Sequence, residues 1–166
     1  MTITRLAIAS IALTFTLPLA AQEPVVGVDD PESLFEGGRT AEEQRNKQAA
    51  LHIMRELLQC NQWDRAGEWI TDRYIQHNPN AESGLAGVVY YFTEVLGREP
   101  NRDCGALTTP VVAVMAEGDL VTVILPREYP DPRNPGRTYS TTWFDTWRFV
   151  DGKADEHWDP AQIPAP

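Results

Sequence analysis

The dipeptide Asp151-Gly152 separates two runs, Trp143-Phe144-Asp145-Thr146-Trp147-Arg148-Phe149-Val150 and Lys153-Ala154-Asp155-Glu156-His157-Trp158-Asp159. Asp-Gly favours a two-residue type I′ turn, so the flanking runs are expected as the strands of one antiparallel hairpin. Side chains alternate along a strand, which puts Trp143, Asp145, Trp147 and Phe149 on one face. That face is an aromatic stripe holding a single carboxylate. A carboxylate among rings is costly unless paired or protonated, and such groups often carry proton-transfer chemistry.

A regular ladder around this turn sets Val150 opposite Lys153, Trp147 opposite Glu156 and Asp145 opposite Trp158. Glu156 and Trp158 then join the stripe. Thr146, Arg148, Asp155, His157 and Asp159 fall on the other face, which reads as solvated or ion-paired. A slip of one residue exchanges Glu156 for His157. Desolvation and a second carboxylate nearby both favour the protonated form of an acid. Asp145 in that setting can take a proton from a carbon next to a carbonyl or hand one to a developing alkoxide; the plainer reading is a carboxylate bonded to a backbone amide or a neighbouring side chain.

Upstream, the pattern is helical. Thr40-Ala41-Glu42-Glu43 has the form of a capping box, and Leu51, Met54, Leu57 and Leu58 follow at helical spacing, so a long helix is expected from Ala41 to Cys60. A short helix is expected over Asp64 to Ile70, with Trp63 and Trp69 as its apolar contacts. Tyr74-Ile75-Gln76-His77 reads as a short extended piece stopped by Asn78-Pro79. Ser83 is expected to cap a third helix with an apolar stripe of Leu85, Val88, Val89, Phe92, Val95 and Leu96, ended by Gly97. Tyr90, Tyr91 and Phe92 read as core, with one or two of them rimming a cavity.

Beyond Cys104 the period becomes that of strands. Val111 to Ala116 and Leu120 to Leu125 flank Glu117-Gly118-Asp119, a hairpin signal, and the proline-rich segment from Pro130 to Gly136 reads as a loop. Helices followed by antiparallel strands indicate an α+β domain with helices packed on one sheet face. A sheet curved around a long helix leaves a concave mouth suited to a ligand. His77, at a rigid corner before Asn78-Pro79, is the second candidate for chemistry as a partner of Asp145, against a simple local backbone contact. His52 reads as a surface or packing residue.

The first residues read as an address. Arg5 is the only charge before Glu23, Leu6 to Leu17 is apolar, and Pro18-Leu19-Ala20-Ala21 offers small residues for cleavage; a secretory signal peptide over residues 1–21 is expected, the alternative being an uncleaved anchor. Residues 22–39, with Pro24, Pro31 and an acidic run, read as a flexible leader, 40–159 as the domain and 160–166 as a tail. Export implies a periplasmic or secreted protein. With 14 basic against 24 acidic residues and a net charge of −10, the chain has no basic cluster suited to nucleic acid or, after cleavage, an anionic membrane. In an oxidising compartment, Cys60 and Cys104 either form a bridge closing about 45 residues, a gain of ~3–4 kcal/mol, or remain two buried thiols; spacing leaves both open. No zinc pattern, GxSxG elbow, glycine-rich phosphate loop or HExxH is present. A metal site from His77, His157 and carboxylates is not favoured by ligand spacing, and none is expected.

Two motifs, Tyr74-Ile75-Gln76-His77-Asn78-Pro79 before a helix containing Gly87 and Phe92, and Asp145-Thr146-Trp147-Arg148-Phe149 leading through Asp151-Gly152-Lys153 to Glu156-His157-Trp158-Asp159, resemble the SnoaL-like, polyketide cyclase-related branch of the nuclear transport factor 2-like superfamily. The resemblance spans Thr40 to Asp159. It implies a cone-shaped α+β barrel in which three N-terminal helices pack on a curved, mainly antiparallel sheet enclosing an apolar pocket. It further implies cofactor-independent acid/base chemistry on a small apolar carbonyl compound, of the aldol condensation, cyclisation or isomerisation type, or else a non-catalytic ligand-binding or dimeric module. Asp145 matches the family's acid/base aspartate and His77 its pocket histidine; Tyr74, Asn78, Phe92, Trp147, Glu156 and Trp158 are then expected to shape the site. Dimerisation through the open sheet face is implied by analogy.

Overall fold

The computed structural model describes residues 23–163, so the expected signal peptide lies outside the described residues. Helix α1 (Ala41–His52) starts as its sequence dictates: Thr40 Oγ1 accepts from the Glu43 amide at 3.1 Å, and Glu43 Oε2 accepts from the Arg39 amide at 2.7 Å. It runs into a wider, π-helical stretch (Ile53–Gln59) that ends at Cys60. Leu51, Met54 and Leu57 are buried on its core face. Cys60 and Cys104 are bridged, tying the end of this helix to the loop before the sheet.

The second helical element is a 3-10 helix (Trp63–Glu68), shorter than expected, because Ile70 already belongs to β1 (Ile70–Gln76) and pairs with Ala154. Ser83 does not cap α2 (Leu85–Tyr90). Its hydroxyl instead accepts from the Gln76 amide at 3.0 Å, and the residue before the helix is Gly84 with φ +91°, a turn that L side chains resist. A π-helical turn (Tyr91–Val95) extends α2 to Gly97, whose φ of +58° makes it the expected stop. The apolar stripe of α2 is only partly used: Val88 is buried, whereas Tyr90, Val95 and Leu96 are exposed.

Strands β2 (Ala113–Glu117), β3 (Leu120–Pro130), β4 (Thr138–Val150) and β5 (Lys153–Trp158) form an antiparallel meander, with β1 added in parallel to β5. The order is β1-β5-β4-β3-β2. Among the described residues β1 and β2 are free edges, so the expected mainly antiparallel sheet is open and does not close on itself. Val121, Val123 and Leu125 of β3 and Trp147 and Phe149 of β4 form the inner face against the helices.

Residues 23–39 pack against the domain instead of trailing from it as a leader. Phe35, at the end of a 3-10 turn (Glu32–Phe35), is fully buried, and the Val28 amide donates to Val111 O at 2.8 Å. Lys47 Nζ donates to Glu36 O at 2.8 Å and Arg55 pairs with Glu32 at 3.1 Å. The segment has an aromatic to bury, Phe35, which its proline and acid content obscures.

The final hairpin turns at Asp151 (φ +50°) and Gly152 (φ +78°), as the dipeptide requires, and Val150 faces Lys153. The ladder then departs from regularity. Phe149 faces Ala154, but Arg148 faces Glu156 and Trp147 faces His157, so Asp155 is an extra residue, a β-bulge. Its carboxylate accepts from Thr71 Oγ1 at 2.7 Å and pairs with the Arg73 guanidinium, both on β1. The bulge exchanges the faces of everything after it on β5.

Candidate functional site

The concave face and the helices enclose a cavity of about 840 Å³, open at one end. Its apolar wall comes from α1, α2 and the 3-10 helix (Met54, Phe92, Trp63) and from the sheet (Leu125, Trp143, Trp147). Trp63 stacks on Phe92 with ring centroids 3.9 Å apart, and the Trp63 Nε1–H is buried without a hydrogen-bond partner among the described residues. Residues 160–162, expected as part of a tail, line the mouth beside Asn80, whose Nδ2 donates to Gln162 O at 3.2 Å.

Of the sequence-derived candidates, Asp145, Tyr74, Asn78, Phe92 and Trp147 line the cavity; His77, Glu156 and Trp158 do not. Those three meet on the outer sheet face. His77 Nε2 lies 2.9 Å from Glu156 Oε1, its ring stacks on Trp158 at 5.3 Å, and Arg148 covers Trp158 and bonds Glu156 Oε2 at 3.2 Å. The His77 contact, followed by that of Arg148, holds the Glu156 carboxyl below its ordinary range. His77 follows Gln76, an inward residue, so alternation turns it outward; Glu156 and Trp158 are turned outward by the bulge at Asp155.

His157 takes the place that the regular register assigned to Glu156. It is buried, and its Nε2 lies 3.2 Å from Asp145 Oδ1, to which Trp143 Nε1 also donates at 3.0 Å. The other ring nitrogen, Nδ1, is 2.8 Å from Gln76 Oε1. That oxygen also accepts from the backbone amide of Asn78 at 2.9 Å. An N–H can only donate, so the Gln76 atom is the oxygen, and His157 Nδ1 must carry the proton that points at it. Nε2 and Asp145 Oδ1 therefore face each other as two acceptors unless one proton lies between them, as carboxylic acid and imidazole or as carboxylate and imidazolium. A hydrogen bond across this 3.2 Å gap requires one proton shared by the pair.

Asp159 completes the cluster. Its Oδ2 accepts from Asn78 Nδ2 at 2.8 Å and lies 4.0 Å from His157 Nε2, and its Oδ1 accepts from the Ala161 amide at 2.9 Å. Ligand atoms of Asp145, His157 and Asp159 lie within 4.8 Å of one another, a donor set of the kind that takes a divalent cation, although Asp145 Oδ1 and His157 Nε2 are already engaged with each other. Tyr74 lies beside them, its ring centroid 6.3 Å from that of His157. Burial, reinforced by the charges of Asp145 and Asp159, raises the Tyr74 phenol far above its ordinary value against a smaller opposing effect of Trp147, so it stays protonated.

Sequence reasoning missed His157, Asp159 and Gln76. The signal for His157 was the alternative one-residue register. Gln76 shares strand parity with Tyr74, which alone marks it as inward-facing.

A sequence profile described as the SnoaL-like domain matches residues 52–157. No curated protein matches the sequence. A candidate polyketide cyclase from Bacillus cereus ATCC 10987 is 17% identical, with 88% of this chain and 90% of that chain covered at a TM-score of 0.52. A candidate SnoaL-like polyketide cyclase from Jannaschia sp. CCS1 is 21% identical, with 75% and 92% covered at a TM-score of 0.50. At these identities the two structures show a shared fold. The profile match covers most of the chain, and the chain belongs to the SnoaL-like domain family.

Proposed function

We propose that this protein binds a small apolar carbonyl compound in its cavity and moves a proton at the carbon next to the carbonyl, using the Asp145–His157 pair. The observation that carries the reading is the 3.2 Å approach of Asp145 Oδ1 and His157 Nε2, with the other imidazole nitrogen committed to Gln76. In the carboxylate–imidazolium form, Asp145 takes the proton from the α-carbon, the C–H electron pair passes into the enolate, and the carbonyl oxygen gains the charge. Tyr74, kept neutral by burial, is the donor available to that oxygen. Return of the proton regenerates the pair. Once the proton on Asp145 has exchanged with solvent, return to the same carbon gives isotope exchange; return to a conjugated position gives isomerisation; and where the enolate first attacks a second carbonyl, a carbon–carbon bond forms and the proton goes to the resulting alkoxide. These steps use this chain's own side chains.

Export belongs to the same proposal, supported by the Cys60–Cys104 bridge, a bond that persists in oxidising compartments. Dimerisation through the outer sheet face is supported by the exposed side chains of Met115 and Phe144 there. The test is α-proton exchange in deuterated water, followed by NMR on an aryl ketone such as 2-tetralone. The protein accelerates the exchange, and Asp145→Asn lowers that acceleration by about 10²–10⁴-fold while leaving the circular dichroism spectrum intact. Exchange that is absent in the unaltered protein, or unchanged in the variant, leaves a ligand-binding module and removes the chemistry.

A further inference from the structure

The cavity is polar at both ends, and the two ends have opposite character. At one end lie Asp145, His157 and Asp159; towards the other the wall carries one arginine or lysine among the described residues, Arg127. Asp145 of β4 pairs with Val123 of β3, and Arg127 stands four residues further along β3 on the same inward face. That separation is about 13 Å of strand. Between the two ends lie Leu125 and its cross-strand partner Trp143.

Arg127 has no carboxylate within ion-pair distance among the described residues. Seven other arginines there each have one within 4.0 Å, in a chain with 24 acidic and 14 basic residues. Arg45, Arg98 and Arg137 also lack such a partner, but among the described arginines Arg127 is the one that lines the cavity. Its guanidinium carbon sits 5.5 Å from the centre of the Trp143 ring, half-buried. An arginine stacked on a ring keeps its in-plane N–H groups free, and their fork matches a carboxylate. Tyr129 is two residues along the same face and pairs with Tyr139 across the strands, so two phenols line the wall next to this cation.

We propose that Arg127 anchors a carboxylate on the ligand, so that the substrate class is an elongated apolar carbonyl compound with an acid group at the end remote from the reacting carbon. The assignment deepens the proton-transfer reading above and rests on it for the identity of the reacting end. Charge sets the orientation. The acid group lies against Arg127 and is held away from Asp145 and Asp159, and the apolar body lies along Trp143 with its carbonyl towards the Asp145–His157 pair.

The test uses 6-oxo-6-phenylhexanoate and its methyl ester, titrated against the intact protein by calorimetry and by the fluorescence of the cavity tryptophans. The acid is expected to bind at least about tenfold more tightly than the ester, the step that one charge-assisted contact provides. Arg127→Met is expected to bring the acid-to-ester ratio to about one, and Arg127→Lys to keep part of it, because a point charge lacks the fork. Equal affinities in the unaltered protein, a ratio that survives Arg127→Met, or no saturable binding of the acid overturns the assignment. Asp145→Asn separates the two proposals: the acid preference persists in it while exchange is lost. If the unaltered protein shows the acid preference but catalyses no exchange, the anchor stands and the catalytic reading falls.

Discussion

Replacing Gln76 by leucine tests the proton assignment directly. In the native site its Oε1 accepts two N–H groups, His157 Nδ1 at 2.8 Å and the Asn78 amide at 2.9 Å. Leucine keeps the volume and removes the acceptor that the two donors share. A donor left unpaired in the interior costs about 1–3 kcal/mol. The His157 ring is buried and pays within that range, whereas the Asn78 amide lies at the cavity mouth within reach of water and adds less. A loss of about 2 kcal/mol is therefore expected, seen as a fall of roughly 4–8 °C in the unfolding midpoint for a chain of this size. The decisive assay is the nitrogen-15 spectrum of the His157 ring. The unaltered protein shows a protonated Nδ1, and Gln76→Leu releases the ring to carry its proton on Nε2, with exchange lowered. Gln76→Glu, which retains an acceptor, restores the protonated Nδ1. A native His157 whose Nδ1 carries no proton would refute the shared-proton argument at its root.

His77→Ala should leave ketone exchange and cavity binding unchanged and alter only the outer-face group with Glu156 and Trp158; lost exchange would return His77 to the site. Reducing Cys60–Cys104, which closes 44 residues of chain, should lower stability by ~3–4 kcal/mol in denaturant unfolding, and coincident curves with and without reductant would exclude the bridge.

The parts legible in the sequence are those governed by neighbours in the chain. The cap of α1 depends on Thr40 and Glu43, the last hairpin on Asp151-Gly152, and the inward face of Asp145, Trp147 and Phe149 on strand alternation. The two motifs that resembled the SnoaL-like group lie on such segments, so the family was within reach of the sequence. Ser83 shows the limit even of local rules: a good capping residue was recruited by Gln76 in the preceding strand, and Gly84 set the helix start.

The face of β5 was a different matter. Whether Glu156 or His157 turns inward depends on the extra residue Asp155, and Asp155 is held by Thr71, 84 positions away, and by Arg73. Strand period two makes the consequence total, since one inserted residue exchanges every later side chain between cavity and outer surface. Composition and alternation therefore determined that an acid sits in an aromatic hollow at the end of an α+β domain. Only tertiary contact between β1 and β5 decided that its partner is His157, because pairing between distant strands leaves no trace in the local pattern.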